Sequence, residues 1–390
     1  MVLLKLFSSL KKLQLVNNCK ILLVLLGMTS ALQAEVIPFF NPTQTYQTNT
    51  LSINIEGFIA NDPVSLKDFF NDWEGDYTPK NGDNIAMEEF RLDIGTVIYD
   101  SYYVGYFYTR NLFVVTSRGF VDFYHTLKNG SKFDSKQKYN LKLDMDGIEE
   151  HGVLISRNFP LLDTEEYELS AGVSGYFSYA TGIQYGSLTG KSSIGADGTY
   201  SASGITDYYY QNNLLYDLDT KKTYGIGYGL HLGALYTNKT YNFDIQLIIN
   251  NVLAKSHWTN LPFSHVDIDT RNQIINNNGN IEYKPTISGL EVYKDYIQKI
   301  IPKYHMDITK NLFQYIDVTV GIDNVDNITI PYVTIATMIN DTQKVEFLYE
   351  TKFNSKGIRF EGVHYSFSLM SNGFSEASAV SFSGNYIYKF

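Results

Sequence analysis

From residue 51 onward the chain is dominated by short runs in which apolar and polar side chains alternate with a period of two, the pattern of a strand with one dry and one wet face. Leu51-Ser52-Ile53-Asn54-Ile55-Glu56-Gly57 is the first such run, and the alternation predicts further strands at Ile85 to Asp100 and Tyr102 to Thr116. A shorter strand is expected over Phe120 to Leu127, and others around Leu141 to Met145 and Val153 to Phe159. Tyr167, Leu169, Ala171, Val173, Gly175 and Phe177 give a long period-2 run, and strands resume around Tyr208 to Leu218, Tyr224 to Tyr236 and Tyr241 to Leu253. After Pro302 the rhythm is regular, with strands near His305 to Thr309, Leu312 to Ile322, Ile328 to Ile339, Lys344 to Phe353, Gly357 to Leu369 and Ser375 to Phe390. Asn- and Gly-rich pieces such as Asn354-Ser355-Lys356-Gly357 and Ser371-Asn372-Gly373 separate them, as tight hairpins require.

Other stretches break this rhythm. Residues 35 to 50, with Pro38 and Pro42, read as a loose polar lead-in. Residues 61–84, 182–204 and 257–280 read as long loops, the first with a helical turn around Leu66, Phe69 and Phe70. Leu290, Tyr293, Ile297, Ile300 and Ile301 fall at helical spacing and predict a short amphipathic helix ending at Pro302, packed over a loop or serving as a plug.

Lys344, Glu346, Glu350 and Lys352 share one face of their strand, and Val345, Phe347, Tyr349, Thr351 and Phe353 the other. Arg359 and Glu361 continue the charged surface before Gly362, where a change of apolar parity suggests a β-bulge. Four charges on one face need water, which either the outside of a soluble sandwich or the lumen of a membrane barrel would supply.

The end of the chain favours the barrel. Phe390, Tyr388, Tyr386, Phe382 and Val380 alternate with Lys389, Asn385, Ser383 and Ser381, with Ile387 the one apolar residue on the wet face. This aromatic strand ending on Phe resembles the C-terminal strand of Gram-negative outer-membrane β-barrels. The resemblance implies that Tyr386, Tyr388 and Phe390 are read by the outer-membrane assembly machinery and that the strand closes against the first one. At the other end, Lys5, Lys11, Lys12 and Lys20 precede the apolar run Ile21 to Leu26 and the small residues up to Ala34. That is the pattern of a secretory signal peptide over residues 1–34, too short to span a bilayer core. The expected organisation is therefore signal 1–34, lead-in 35–50 and barrel 51–390.

Composition narrows the reading. Cys19, the one cysteine, lies within the signal, which excludes disulfides and thiol chemistry from the exported chain. The 32 Tyr and 24 Phe against 2 Trp suit strands whose ends meet a lipid–water boundary. Loss of the four signal lysines takes the net charge from −10 to −14, which argues against nucleic acid as a partner. Candidate chemistry is sparse. Asp144-Met145-Asp146-Gly147 matches only part of a calcium loop and reads better as a hairpin turn. His257 and His265 share a stretch with Asp267 and Asp269, but no metal spacing appears. Ser366 beside His364 is the pair to suspect in a barrel hydrolase, with no orienting third group in view.

The sequence thus predicts an all-β protein, a single antiparallel transmembrane β-barrel of about 12–16 strands and most simply 14, given ~9–11 residues per span. In its length, Gly- and Tyr-rich strands and N-terminal polar segment it loosely resembles the long-chain fatty acid outer-membrane transporters. The implied function is passage of small solutes, including hydrophobic ones, without cofactor or enzymatic activity; the alternatives are a non-transporting barrel working through its loops and, less so, a barrel hydrolase. Lys344, Glu346, Glu350, Lys352, Arg359 and Glu361 are the expected lumen-lining residues. Outer-membrane lipid and an unnamed solute are the expected partners.

Overall fold

A computed structural model describes residues 36–390 except 72, 74, 100, 130–135, 196–199, 213–219, 271, 272, 276–280, 284–286 and 314; the predicted signal peptide lies outside the described residues. The strands are β1 (Thr50–Asn61), β2 (Asp83–Ile98), β3 (Tyr102–Ser117), β4 (Lys138–Asp163), β5 (Tyr167–Ile194), β6 (Tyr200–Tyr210), β7 (Gly225–Asn238), β8 (Phe243–Asp269), β9 (Gln273–Ile275) and β10 (Ile281–Tyr283). They continue as β11 (Ile287–Lys299), β12 (Lys303–Phe313), β13 (Ile316–Val325), β14 (Ile328–Asn340), β15 (Gln343–Glu350), β16 (Lys356–Gly362), β17 (Tyr365–Ser371) and β18 (Ala379–Lys389). Among the described residues two helices, α1 (Leu66–Phe70) and α2 (Arg118–Lys128), interrupt the early strands.

Antiparallel pairing runs from β1 through β5, passes to β7 and β8, then to β12, and continues through β18, which pairs back with β1. Fourteen strands therefore close into a ring. Closure is a full ladder, from Thr50 opposite Lys389 to Ala60 opposite Ala379, so the terminal strand has both expected neighbours, β1 and β17. Two strands sit above the ring: β6 pairs with the far halves of β5 and β8, and β11 with the far half of β8. The ring has one end near Thr50 and Phe390, here the terminal end, and an opposite end carrying α1 and α2.

Several expectations change. Residues 182–204 and 257–280 are largely strand rather than loop, because β5 runs on to Ile194 and β8 to Asp269. Asp144 to Gly147 makes no turn; it lies inside β4, in unbroken register with β3. The expected helix over 290–301 is strand β11, whose register with β8 shifts between Lys294 and Tyr296 and so scrambles the two-residue period. The segment at 120–127 is not a strand but helix α2. Ser117 caps it by accepting from the Phe120 amide, and Phe120, Val121, Phe123 and Tyr124 form its buried stripe. The parity change at Gly362 comes from a two-residue hairpin rather than a bulge, since β16 and β17 pair without a register shift.

Two faces follow from parity. On β13 to β17 the outward positions are exposed and apolar, as at Val320, Ile335, Phe347, Phe360 and Leu369. The opposite face is polar or packed inside the ring. On β4 the outward positions near the far end, Tyr139, Leu141, Leu143 and Met145, stay apolar but are buried. They are covered from outside by α2 and by Val64, Trp73 and Tyr77, with Phe123 packed 5.6 Å from Tyr139 and Tyr124 4.9 Å from Trp73.

Candidate functional site: a plugged lumen

The segment expected as a loose lead-in is instead packed inside the ring: Val36, Ile37, Phe39 and Phe40 are each at most 3% exposed. Pro38 and Pro42 prevent the segment from joining a ladder, so its remaining backbone groups need other partners. The wall supplies them. The Val36 and Ile37 amides donate to Asp323 Oδ2 at 2.9 and 3.3 Å, and the Phe39 amide to Glu56 Oε2 at 3.2 Å. Asn250 accepts from the Phe40 amide at 2.7 Å and donates back to the Phe40 carbonyl at 2.8 Å. Ser381 donates to the Val36 carbonyl at 2.9 Å, and Lys303 to the Pro38 carbonyl. Lower down, Asn158 donates to the Thr43 carbonyl and Gln246 to the Thr43 hydroxyl.

The wall is shaped for this peptide. A Cβ on Gly172 would collide with the Pro42 carbonyl, and one on Gly233 would press Thr43 and Pro42, so glycine at both positions lets the plug lie flat on β5 and β7. The Arg91 guanidinium, held by Asp93 at 2.6 and 2.7 Å, sits over the rings of Phe40 at 5.2 Å and Phe107 at 5.6 Å. His231 flanks Phe40 at 5.3 Å, and Tyr46 stacks on Tyr103 at 4.0 Å.

Space is uneven along the axis. Below the plug, at the terminal end, Tyr46, Tyr103, Ser156, Arg157 and Glu168 line a cavity of about 350 Å³. Beside it, between Asn111, Phe113, Asp146, Asn251, Ile300 and Lys303, only about 10 Å³ remains, room for roughly one water. At the far mouth, Lys142, Thr189, Lys191, Ile205, Asp267 and Asp269 line an open concavity of about 670 Å³. Just inside that mouth is an aromatic shelf. Tyr209 stacks on Tyr296 at 4.2 Å and meets Phe263 at 4.6 Å, Tyr185 lies 5.3 Å from Tyr296, and the Lys294 ammonium stands 3.8 Å over Phe263. On the rim His265 bonds Asp207 at 2.8 Å, which raises its pKa above the ordinary imidazole value.

Of the residues singled out in the sequence, Glu346 and Arg359 are buried and pair at 3.4 Å, and Glu350 is buried while accepting from the Phe353 and Ser355 amides. Lys344 and Glu361 pair at 3.5 Å and are part-exposed. Lys352 lies outside β15, which ends at Glu350, and Phe353 turns inward against Phe58 instead of facing out. The neighbouring inward position, Leu348, is apolar and joins the core around the plug. Tyr388 and Phe390 are exposed at the terminal rim, with Tyr386 half-buried. Ser366 is buried and His364 exposed in a hairpin, so no hydrolytic pair forms. The sequence reading did not single out Glu56, Asn250, Lys303 and Asp323; the apolar cluster Val36 to Phe40, too greasy for a solvated lead-in, was the available signal.

No protein-family model matches the chain, and no curated protein matches it. Among solved structures it is similar to a deletion mutant of the TodX monoaromatic hydrocarbon channel, at 9% identity and TM-score 0.46, covering 90% of this chain and 93% of that one. The Pseudomonas putida toluene transporter TodX gives 8% and 0.37, covering 93% and 94%. A Pseudomonas aeruginosa FadL homologue gives 11% and 0.36, covering 87% and 90%. The fold assignment rests on the strand pairing of this chain itself.

Proposed function

We propose that the chain is an exported outer-membrane channel that passes small hydrophobic solutes from the far mouth, past the plug, to the terminal end. The observation that carries this reading is the plug. A ring of fourteen strands encloses more space than its own side chains fill, and here a separate peptide, bonded to the wall through its backbone, fills the remainder. A barrel built only as a scaffold has no need of a removable filling. The aromatic shelf offers ring faces and apolar edges to a solute arriving at the mouth, and the outward apolar band faces lipid. The cap formed by α1 and α2 packs on the outside of the wall rather than in the lumen. In this reading residues 1–34 are the export leader, and the aromatic C-terminal strand is the signal for the assembly machinery.

The test removes residues 36–46 from the full-length chain and compares it with the parent in a planar bilayer. The parent is expected to show little or no current and the deletion discrete conductance, with faster uptake of a small aromatic solute by cells. A deletion protein that is heat-modifiable yet shows no conductance would overturn the channel reading in favour of a barrel acting through its loops.

A further inference from the structure

Where the ring passes into the strands that rise above it, β8 and β11 carry two cations on the outside of the wall. Lys255 and Lys299 stand directly opposite each other in the ladder between these strands. Their side chains point outward, because the alternate positions Ala254, Trp258, Gln298 and Ile300 are buried on the lumen side. Directly opposed residues have Cβ atoms about 5 Å apart, and like charges placed so repel.

The wall around them offers no counter-charge. Among the described residues neither ammonium has an ion-pair or hydrogen-bond partner. Their outward neighbours Tyr228, Leu230, Leu253, His257 and Ile297 include no acid. Asp295, the acid on β11 nearest to Lys299 in sequence, has its carboxylate on the Asn260 amide at 3.0 Å.

The pair also sits at a border. Toward the terminal end the outward positions Leu230, Leu247, Leu253, Met306 and Ile308 are 37–74% exposed. Beyond the pair β8 turns polar at His257, Thr259 and Asn260, and Tyr228 lies against His257 at 5.9 Å. Exposed tyrosine above an apolar band marks a lipid–water boundary. Access is open on one side. Lys303 already pairs with Val325, the last residue of β13, so Lys299 lies past the far end of that strand, and β11 pairs with β8 alone among the described strands.

We infer that Lys255 and Lys299 form a site for the phosphate of a lipid headgroup in the leaflet at the far end. The phosphate accepts from both ammoniums and cancels their repulsion, while its acyl chains run down over Leu253, Leu230 and Leu247. A soluble anion lacks those chains and has nothing to hold it beside the apolar face. The inference rests on the outer-membrane reading and is independent of the plug.

The experiment keeps the exported full-length chain in uncharged detergent micelles doped with either phosphatidylcholine or phosphatidic acid, and follows acetylation of each lysine by peptide mass. Phosphatidic acid is expected to slow Lys255 and Lys299 by about fivefold or more relative to phosphatidylcholine. Lys191, which lines the far-mouth concavity, is expected to react equally in both. Lys255→Gln should bring Lys299 back close to its rate in phosphatidylcholine. Equal rates for the parent in the two lipids, equal slowing at Lys191, the same protection by inorganic phosphate alone, or full protection of Lys299 in assembled Lys255→Gln would each overturn the inference. The parent's labelling decides by itself if the variant does not assemble. Conductance of the plug deletion is read separately, so loss of protection with conductance retained would sink the lipid site and spare the channel.

Discussion

The two arcs of the ring solve one problem differently. From β13 to β18 the strands are 7 to 13 residues long, tight turns join most of them, and their outward apolar positions stay exposed. From β3 to β8 the longest strands reach 28 residues and continue past the ring, still apolar outward, so that in the membrane setting proposed above lipid would not cover all of that face. There the chain covers it with α2 and the segment around Trp73. The same two-residue period therefore leaves apolar positions open on one arc and puts them under a helix on the other, and which they receive depends on strand length.

The comparison can be broken from either side. The largest effect is expected from Phe123→Ala in the cap, where deleting a fully buried aromatic costs about 3–5 kcal/mol. Amide exchange should rise in α2 and the far half of β4 while β13 to β18 stay protected; a uniform loss of protection would mean the two arcs are not separable. Next is Phe347→Arg on the short arc, expected to cost about 2–4 kcal/mol if position 347 is near the bilayer midplane. It should lower unfolding stability in lipid and leave the cap's exchange unchanged.

The smallest effect sharpens the contrast within the far end. His265 is held above its ordinary pKa by its hydrogen bond to Asp207, whereas His125, stacked 3.9 Å from Tyr77 in the cap, is pushed below it by desolvation. The His265 contribution is present at low pH and fades as pH rises through its raised folded pKa; that of His125 is present when neutral and is lost as pH falls. Histidine titration by NMR should show the two midpoints on opposite sides of the unfolded value, and coincident midpoints would remove both contacts.

Much of the ring was legible because the short arc states its period openly: the terminal strand and its hairpin neighbour follow from alternation and turn residues, whereas closure against β1 followed from the resemblance of the terminal strand and the count of 14 from chain length and residues per span. Where local signals were ambiguous the sequence misled. Phe120, Val121, Phe123 and Tyr124 crowd into so few residues that a helical stripe passes for a strand, and the register shift after Lys294 made strand β11 look helical. On β8 the left-handed residues Asn251 and Leu253 each add a bulge, so parity is lost and regained within four residues. The plug was hidden for another reason. Val36 to Thr43 has no period at all, and its partners, Asn250 and Asp323, lie more than 200 residues away.

The Ser381 bond to Val36 joins residues 345 apart in the chain. It also ties a segment made early to one made hundreds of residues later. Until β18 has been made and laid against β1, the wall around the plug is incomplete, so the earlier-made segment must wait for the later one. The plug's docking thereby reports, in time rather than in space, that the ring has shut.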